Sequence, residues 1–177
     1  TIVESPTIVP GKFGNGMGLS GEIPGKGQVK YPLDTFNGLT DFSLSFWVKP
    51  STFTLLGFIG FNSEVVTIYM DNASSMYARI NSQGSHTFDC TSISNAMTLN
   101  DWNHIVIQRD GSETSIYVDS MKFVISVITN SSAMGTSSLY SSLVGGNTNL
   151  NVSEYDQTRL YNRALTQEEI TALAEEK

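Results

Sequence analysis

Short runs in which apolar and polar residues alternate fill the chain up to Tyr161, and alternation with a period of two marks strands whose two faces differ. The clearest run is DFSLSFWVKP, residues 41–50. Phe42, Leu44, Phe46 and Val48 fall on one face and Ser43, Ser45, Trp47 and Lys49 on the other. Pro50, which cannot donate a ladder hydrogen bond, closes it. Further strands are expected at 54–61, 64–71, 75–82 and 86–92, divided by polar turns after Phe61, Asp71 and Ser82. Trp102 to Arg109 and Thr114 to Asp119 flank Asp110-Gly111, a pair that readily takes the positive φ of a tight turn, so they predict a hairpin. Met121 to Ile128 and Leu139 to Val144 supply two more apolar strands, the second stopped at Gly145-Gly146. Near the start, Phe13, Met17 and Leu19 stand among the glycines of GKFGNGMGLSG, residues 11–21. That composition predicts an edge or entering strand whose backbone is bulged or closely approached.

The pattern changes only near the end. Val152 to Tyr161 alternates as a strand; Thr166 followed by Glu169 then reads as a capping box, with Leu165 and Ile170 spaced as a hydrophobic staple across a helix start. The expected fold class is all-β, an antiparallel two-sheet sandwich with one short C-terminal helix.

Composition narrows the setting. At 177 residues the chain is expected to be one domain, 1–177, able to bury a two-sheet core without a disulfide or metal. No apolar run approaches the roughly 20 residues of a membrane-spanning helix. The net charge is −7 and the ten Lys and Arg are scattered singly, so no basic stripe exists to neutralise phosphates and nucleic acid is a poor partner. Only 15% of residues are charged, and Ser, Thr and Asn supply most polar positions. A surface of neutral hydrogen-bonding groups suits an extracellular, cell-surface or virion location. Cys90 is the sole cysteine, so no internal disulfide can form. Thr1 opens the chain with neither an initiator methionine nor a signal-peptide pattern, which points to a module of a longer polypeptide.

Four passages, GKFGNGMGLSG, DFSLSFWVKP, DWNHIVIQRDGSETSIYVDS and YDQTRLYNRALTQEEI, follow one another along the chain. In order and spacing they resemble laminin-G-like jelly-roll domains of the concanavalin A-like lectin and glucanase superfamily. The strand before the helix more commonly reads I-D-E-hydrophobic-R in such domains, and here Gln157 and Thr158 replace the acid and the apolar residue. The resemblance implies a jelly-roll sandwich, core positions for Trp47 and Trp102, and a recognition module for glycan or polysaccharide. It also implies a place for structural calcium. In the glucanase branch the ion is held by an aspartate of the closing strand and main-chain carbonyls of the opening segment, and Asp156 corresponds to that aspartate. One carboxylate with carbonyls and water is chemically adequate for calcium, and Glu22 with the carbonyls of residues 20–22 are candidate companions. The alternative is that Asp156 caps backbone amides or pairs with an arginine.

Glucanases of the superfamily carry two glutamates around an aspartate on one strand, E-x-D-x-E, which suits the roughly 5 Å separation of retaining hydrolysis. No such run occurs here; the nearest, Glu154-Tyr-Asp156, lacks its third acid. There is no G-x-S-x-G, and His86 and His104 are the only histidines, so a nucleophile triad lacks parts. His104, in step with Trp102 and Val106, is expected to be packed or hydrogen-bonded. His86 is expected on a solvated strand edge, and Cys90 as an inert thiol. Gly16 to Gly21 matches G-x-G-x-x-G without the strand and helix a phosphate cradle needs. No catalytic residue is assigned, and the chain reads as a non-enzyme.

A sugar site pairs an aromatic face, for the apolar side of a pyranose, with amides and carboxylates for its hydroxyls. Tyr69, Asp71 and Asn72 at one strand end, Tyr77 and Arg79 in the next strand, and Asn147 and Asn149 after Gly146 supply those residue types. Against this stands the reading in which the tyrosines fill gaps between sheets and the asparagines make turns. The expected function is noncatalytic carbohydrate recognition. The alternative is a structural or adhesion domain of a virion, tail fibre or bacterial surface protein that contacts protein. Sequons at Asn72, Asn130 and Asn151 matter only in a source that glycosylates.

Overall fold

A computed structural model describes residues 2–3, 7–19, 28–31, 38–51, 59–60, 65–71, 75–80, 97–111, 113–127, 141–144 and 153–177. In chain order these form β1 (Ile2–Val3), β2 (Thr7–Pro10), β3 (Asn15–Leu19), β4 (Gln28–Tyr31), β5 (Phe42–Pro50), β6 (Ile59–Gly60) and β7 (Val65–Asp71). They continue as β8 (Ser75–Ile80), β9 (Asn103–Asp110), β10 (Glu113–Val118), β11 (Met121–Val127), β12 (Ser141–Val144), β13 (Ser153–Tyr161) and the helix α1 (Gln167–Ala174). β1, β4, β12, β6, β7 and β8 lie side by side in that order as a six-stranded sheet, and β11, β10, β9, β5, β13, β3 and β2 as a seven-stranded one. Every pairing among the described residues is antiparallel. This is the expected two-sheet sandwich with its tail helix.

The Asp-Gly hairpin forms as predicted: β9 and β10 pair from Asp110 against Glu113 to Ile105 against Val118, and Gly111 at the turn has φ +57°. The glycine-rich opening supplies β3, which lies one strand inside the sheet. The edge itself is β2, a strand that alternation did not identify. β3 is closely approached as expected, since a Cβ on Gly16 would stand 2.8 Å from the Tyr155 carbonyl oxygen. The strand expected at 86–92 and most of that at 54–61 lie outside the described residues.

Trp102 departs from expectation. β9 begins only at Asn103, and Trp102 is half-buried, outside the ladder. The buried Asn103 side chain accepts from the Thr98 N–H and donates to the Thr98 and Asp101 carbonyls, so it serves the turn before it. The tight turn set by those bonds ends the ladder one residue after the tryptophan.

β5 is buried on both faces, from Phe42 to Val48. Its inner row, Phe42, Leu44, Phe46 and Val48, shares a face with Ile105 and Ile107 of β9 and Ile116 and Val118 of β10, all buried. The outer row, Ser43, Ser45 and Trp47, is buried as well: the tail meets it at Ser43, which bonds the Arg163 carbonyl and the Leu165 N–H, and Phe13 packs against Trp47. Leu165 and Ile170 cluster on that face with Val106 and Tyr117, and Tyr161 and Leu173 pack around them. Burying each large apolar side chain contributes about 1.5–3 kcal/mol, so this second small core is what holds the helix down. Hydrogen bonds supplement it: the Leu165 N–H reaches both Ser43 Oγ (3.1 Å) and Gln108 Oε1 (2.9 Å).

Strict alternation along β13 would put Asp156 and Leu160 on one face. The strand instead carries a bulge: Asp156 opposes Trp47 and Arg159 opposes Ser45, one residue too many on β13, with Gln157 at φ +49°. The extra residue reverses the phase, so Asp156, Arg159 and Tyr161 all share the outer face, while Tyr155 and Leu160 share the inner one. Gln157 and Thr158, where the closing segment departs from the usual pattern, are the residues inside the bulge.

Candidate functional site

The β7–β8 hairpin brings four of the predicted sugar-site residues together. Its register sets Tyr69 opposite Tyr77, Thr67 opposite Arg79 and Asp71 opposite Ser75. Residues directly opposed across an antiparallel pair stand about 5 Å apart at Cβ, and successive pairs on one face follow at about 7 Å. Tyr69, Tyr77, Asp71 and Arg79 therefore share one face, with an aromatic pair in the middle, a cationic residue toward one end and an acid toward the other. The opposite face is wholly apolar: Val66 pairs with Ile80, Ile68 with Ala78 and Met70 with Met76. Among the described residues β8 is the outermost strand of its sheet. Asn72, Asn147 and Asn149 lie outside the described residues, as do His86, Cys90 and residues 20–22.

Asp156, the expected metal ligand, is 7% exposed on the outer face. Its Oδ2 accepts the Phe13 N–H at 2.8 Å and its Oδ1 the Gln157 N–H at 2.7 Å. Calcium takes six to eight oxygen ligands, whereas among the described residues the groups bonded to this carboxylate are amide donors, opposite in polarity to what a cation needs. Among the described residues no cluster of three acidic, histidine or cysteine side chains surrounds it. The contacts shown do not fit a calcium site and fit the alternative reading of Asp156 as a cap for backbone amides.

Glu154, the other half of the acidic pair, is engaged by Lys49 Nζ at 3.1 Å. His104 is buried as expected. Its Nε2 lies 2.8 Å from Ser45 Oγ, its ring centroid 5.1 Å from that of Trp47, and its backbone N–H donates to Asp119 Oδ1. Nδ1 has no partner among the described residues. Burial pushes its pKa down to about 4, with Glu176 raising it and Arg159 lowering it by smaller amounts. A neutral imidazole enclosed in this way is a packing element and has no approach for a substrate.

Sequence reasoning did not anticipate a shallow hollow of about 240 Å³ between β13 and α1, lined by Tyr161, Arg163, Leu165, Glu169, Leu173 and Glu176. Both its carboxylates are already held. Arg163 grips Glu169 at 2.7 and 2.8 Å, which with the Thr166 N–H pushes that pKa down to about 2, and Arg159 grips Glu176 at 2.7 and 2.8 Å. It is smaller than the roughly 300–1,000 Å³ of ordinary ligand clefts, and its polar groups are spent on one another.

Comparisons with known proteins agree with this architecture. A family model described as concanavalin A-like lectin/glucanases superfamily matches residues 24–171. No curated protein matches the chain. Among solved structures, domain 4 of AbnA, a GH43 extracellular arabinanase from Geobacillus stearothermophilus in complex with arabinotriose, superposes with a TM-score of 0.72 at 18% identity, over 98% of this chain and 82% of that one. The binding domain of Paraclostridial Mosquitocidal Protein 1 gives 0.74 at 18% identity, over 98% of this chain and 46% of that one. The binding domain of Botulinum Neurotoxin DC in complex with SialylT gives 0.74 at 14% identity, over 97% and 44%. The chain thus spans less than half the length of the two toxin domains, and at these identities the likeness is one of fold. Among the described residues no helix is long and apolar enough to cross a membrane.

Proposed function

Since the chain belongs to the concanavalin A-like lectin/glucanases superfamily, we propose that it is a noncatalytic recognition module that binds carbohydrate through the outer strip of the β7–β8 hairpin. One observation carries this reading: the register that sets Tyr69 against Tyr77, with Asp71 and Arg79 on the same face. An aromatic pair offers a platform for the apolar side of a sugar ring, and flanking charged residues offer hydrogen bonds to its hydroxyls. The two-sided character of the hairpin supports it as well. A sandwich sheet turns its apolar face to the core and its polar face to solvent, and here the polar face is the one with the tyrosines. The ligand class is neutral or acidic glycan, on a cell surface or in a polysaccharide, met outside the cell. Support from the relatives is limited to what they bind: arabinotriose in one and SialylT in another.

The test is a glycan array followed by titration of the best ligand against wild type, Tyr69→Ala and Tyr77→Ala. Each substitution is expected to weaken binding at least tenfold, about 1.4 kcal/mol, while the melting temperature stays close to wild type. Silence across the array, together with a stable complex with a neighbouring protein, would replace this reading with that of a structural or adhesion domain. Turnover of a bound polysaccharide would overturn the noncatalytic assignment.

A further inference from the structure

We infer that Asp156 is a metal-independent clasp: its carboxylate ties the turn between β2 and β3 to the bulge of β13 by accepting main-chain amides, at the position where the superfamily resemblance places a cation ligand. The clasp is built from both sides. On the β13 side the positive φ of Gln157, +49°, accompanies a Gln157 N–H that points back to Asp156 Oδ1 at 2.7 Å. On the other side the turn closes on itself through a Gly11 N–H to Gly14 carbonyl bond of 2.9 Å and delivers the Phe13 N–H to Oδ2 at 2.8 Å. Glycine is required for that delivery. A Cβ on Gly11 would stand 2.5 Å from Oδ2 and 2.7 Å from the Gly16 nitrogen, so any side chain would push the turn off the carboxylate. The backbone of Gly11 thus runs close beside Oδ2. The two N–H groups present partial positive charge where a cation would need oxygen, and charge-assisted bonds of this kind satisfy a buried carboxylate without an ion.

The effect reaches past Asp156. Phe13 packs edge-on against Trp47 at 6.0 Å between centroids, and Lys12 Nζ stands 4.5 Å over the same ring, so the clasped turn roofs the indole and leaves it 4% exposed. Beyond the extra residue, Arg159 reaches from the same bulge to Glu176 near the end of the chain. A single bulge joins the opening hairpin and the tail helix to the closing strand.

The experiment compares thermal melting of wild type, Asp156→Asn and Gly11→Ala, each stripped with EDTA and then supplied with excess calcium. Amide exchange of Phe13 and Gln157 is followed by NMR in the stripped wild type. The expected result is slow exchange at both amides without metal, and both variants melting several degrees below wild type whether or not calcium is present. A calcium-dependent rise in wild type that Asp156→Asn lacks would overturn the clasp, because an ion bound only by the folded state must raise apparent stability. So would fast exchange of the Phe13 amide in the stripped protein, or an Asp156→Asn variant that melts with wild type. If a variant does not fold, the exchange and calcium measurements on wild type decide the matter.

Discussion

Burying an imidazole against an indole and a serine hydroxyl favours its neutral form, because the cation would lose its hydration there. His104 shows this directly, with its pKa pushed down to about 4 from an ordinary 6.5. The folded state holds the proton more weakly than the unfolded chain, so stability is fully present above pH 6.5 and falls as the pH drops from about 6.5 toward 4. The slope is about 1.4 kcal/mol per pH unit. Urea titrations at pH 7.5 and 5 are expected to show wild type losing about 2 kcal/mol, and His104→Gln much less. An equal loss in both would assign the effect to other groups. The carboxylates of Glu169 and Glu176, lowered mainly by Arg163 and Arg159, lose their contribution only below the ordinary carboxylate range, under pH 4.5, and so do not confound this window. The packed role of His104 was legible in its step with Val106. Trp102 was not legible in the same way, because only the turn built on the Asn103 side chain shows where the ladder starts.

The tail helix is short, and its start is set locally. Thr166 Oγ1 accepts the Glu169 N–H at 3.3 Å while Glu169 Oε2 accepts the Thr166 N–H at 2.9 Å, the reciprocal pair the sequence predicts. An eight-residue helix is marginal in water by itself, so both cap and packing should register in its stability. Thr166→Ala is expected to cost about 1 kcal/mol and Ile170→Ala about 2–5 kcal/mol, read by chemical denaturation; equal small losses would show that the helix is not packed as described. β13 lies at the other extreme. Its alternating letters conceal the bulge at Gln157, since a positive φ depends on what the neighbouring amide can bond to, here the Asp156 carboxylate.

Over the whole molecule, one sheet is covered twice, by the opposite sheet on its inner face and by the tail and the opening turn on its outer face. Removing residues 162–177 would uncover Val106 and Tyr117 and take from Ser43 and Gln108 the Leu165 N–H they both bond. The lost burial of Leu165 and Ile170, about 1.5–3 kcal/mol each, is a large share of the 5–15 kcal/mol that holds a domain of this kind folded. The truncated protein is expected to bind a hydrophobic dye and melt without a cooperative transition, and a sharp transition near the wild-type temperature would show that the outer core is dispensable. Local pattern by itself determined the all-β class, the Asp-Gly hairpin, the capped helix and the inner row of β5, because alternation, turn residues and caps act between neighbours a few positions apart. Only the tertiary structure decided that Ser43 and Ser45 are buried too, that Tyr69 stands opposite Tyr77, and that Asp156 meets an amide from a turn 143 residues away. Register and long-range contact depend on which segments the chain brings together, and nothing in the residues flanking either partner specifies the other.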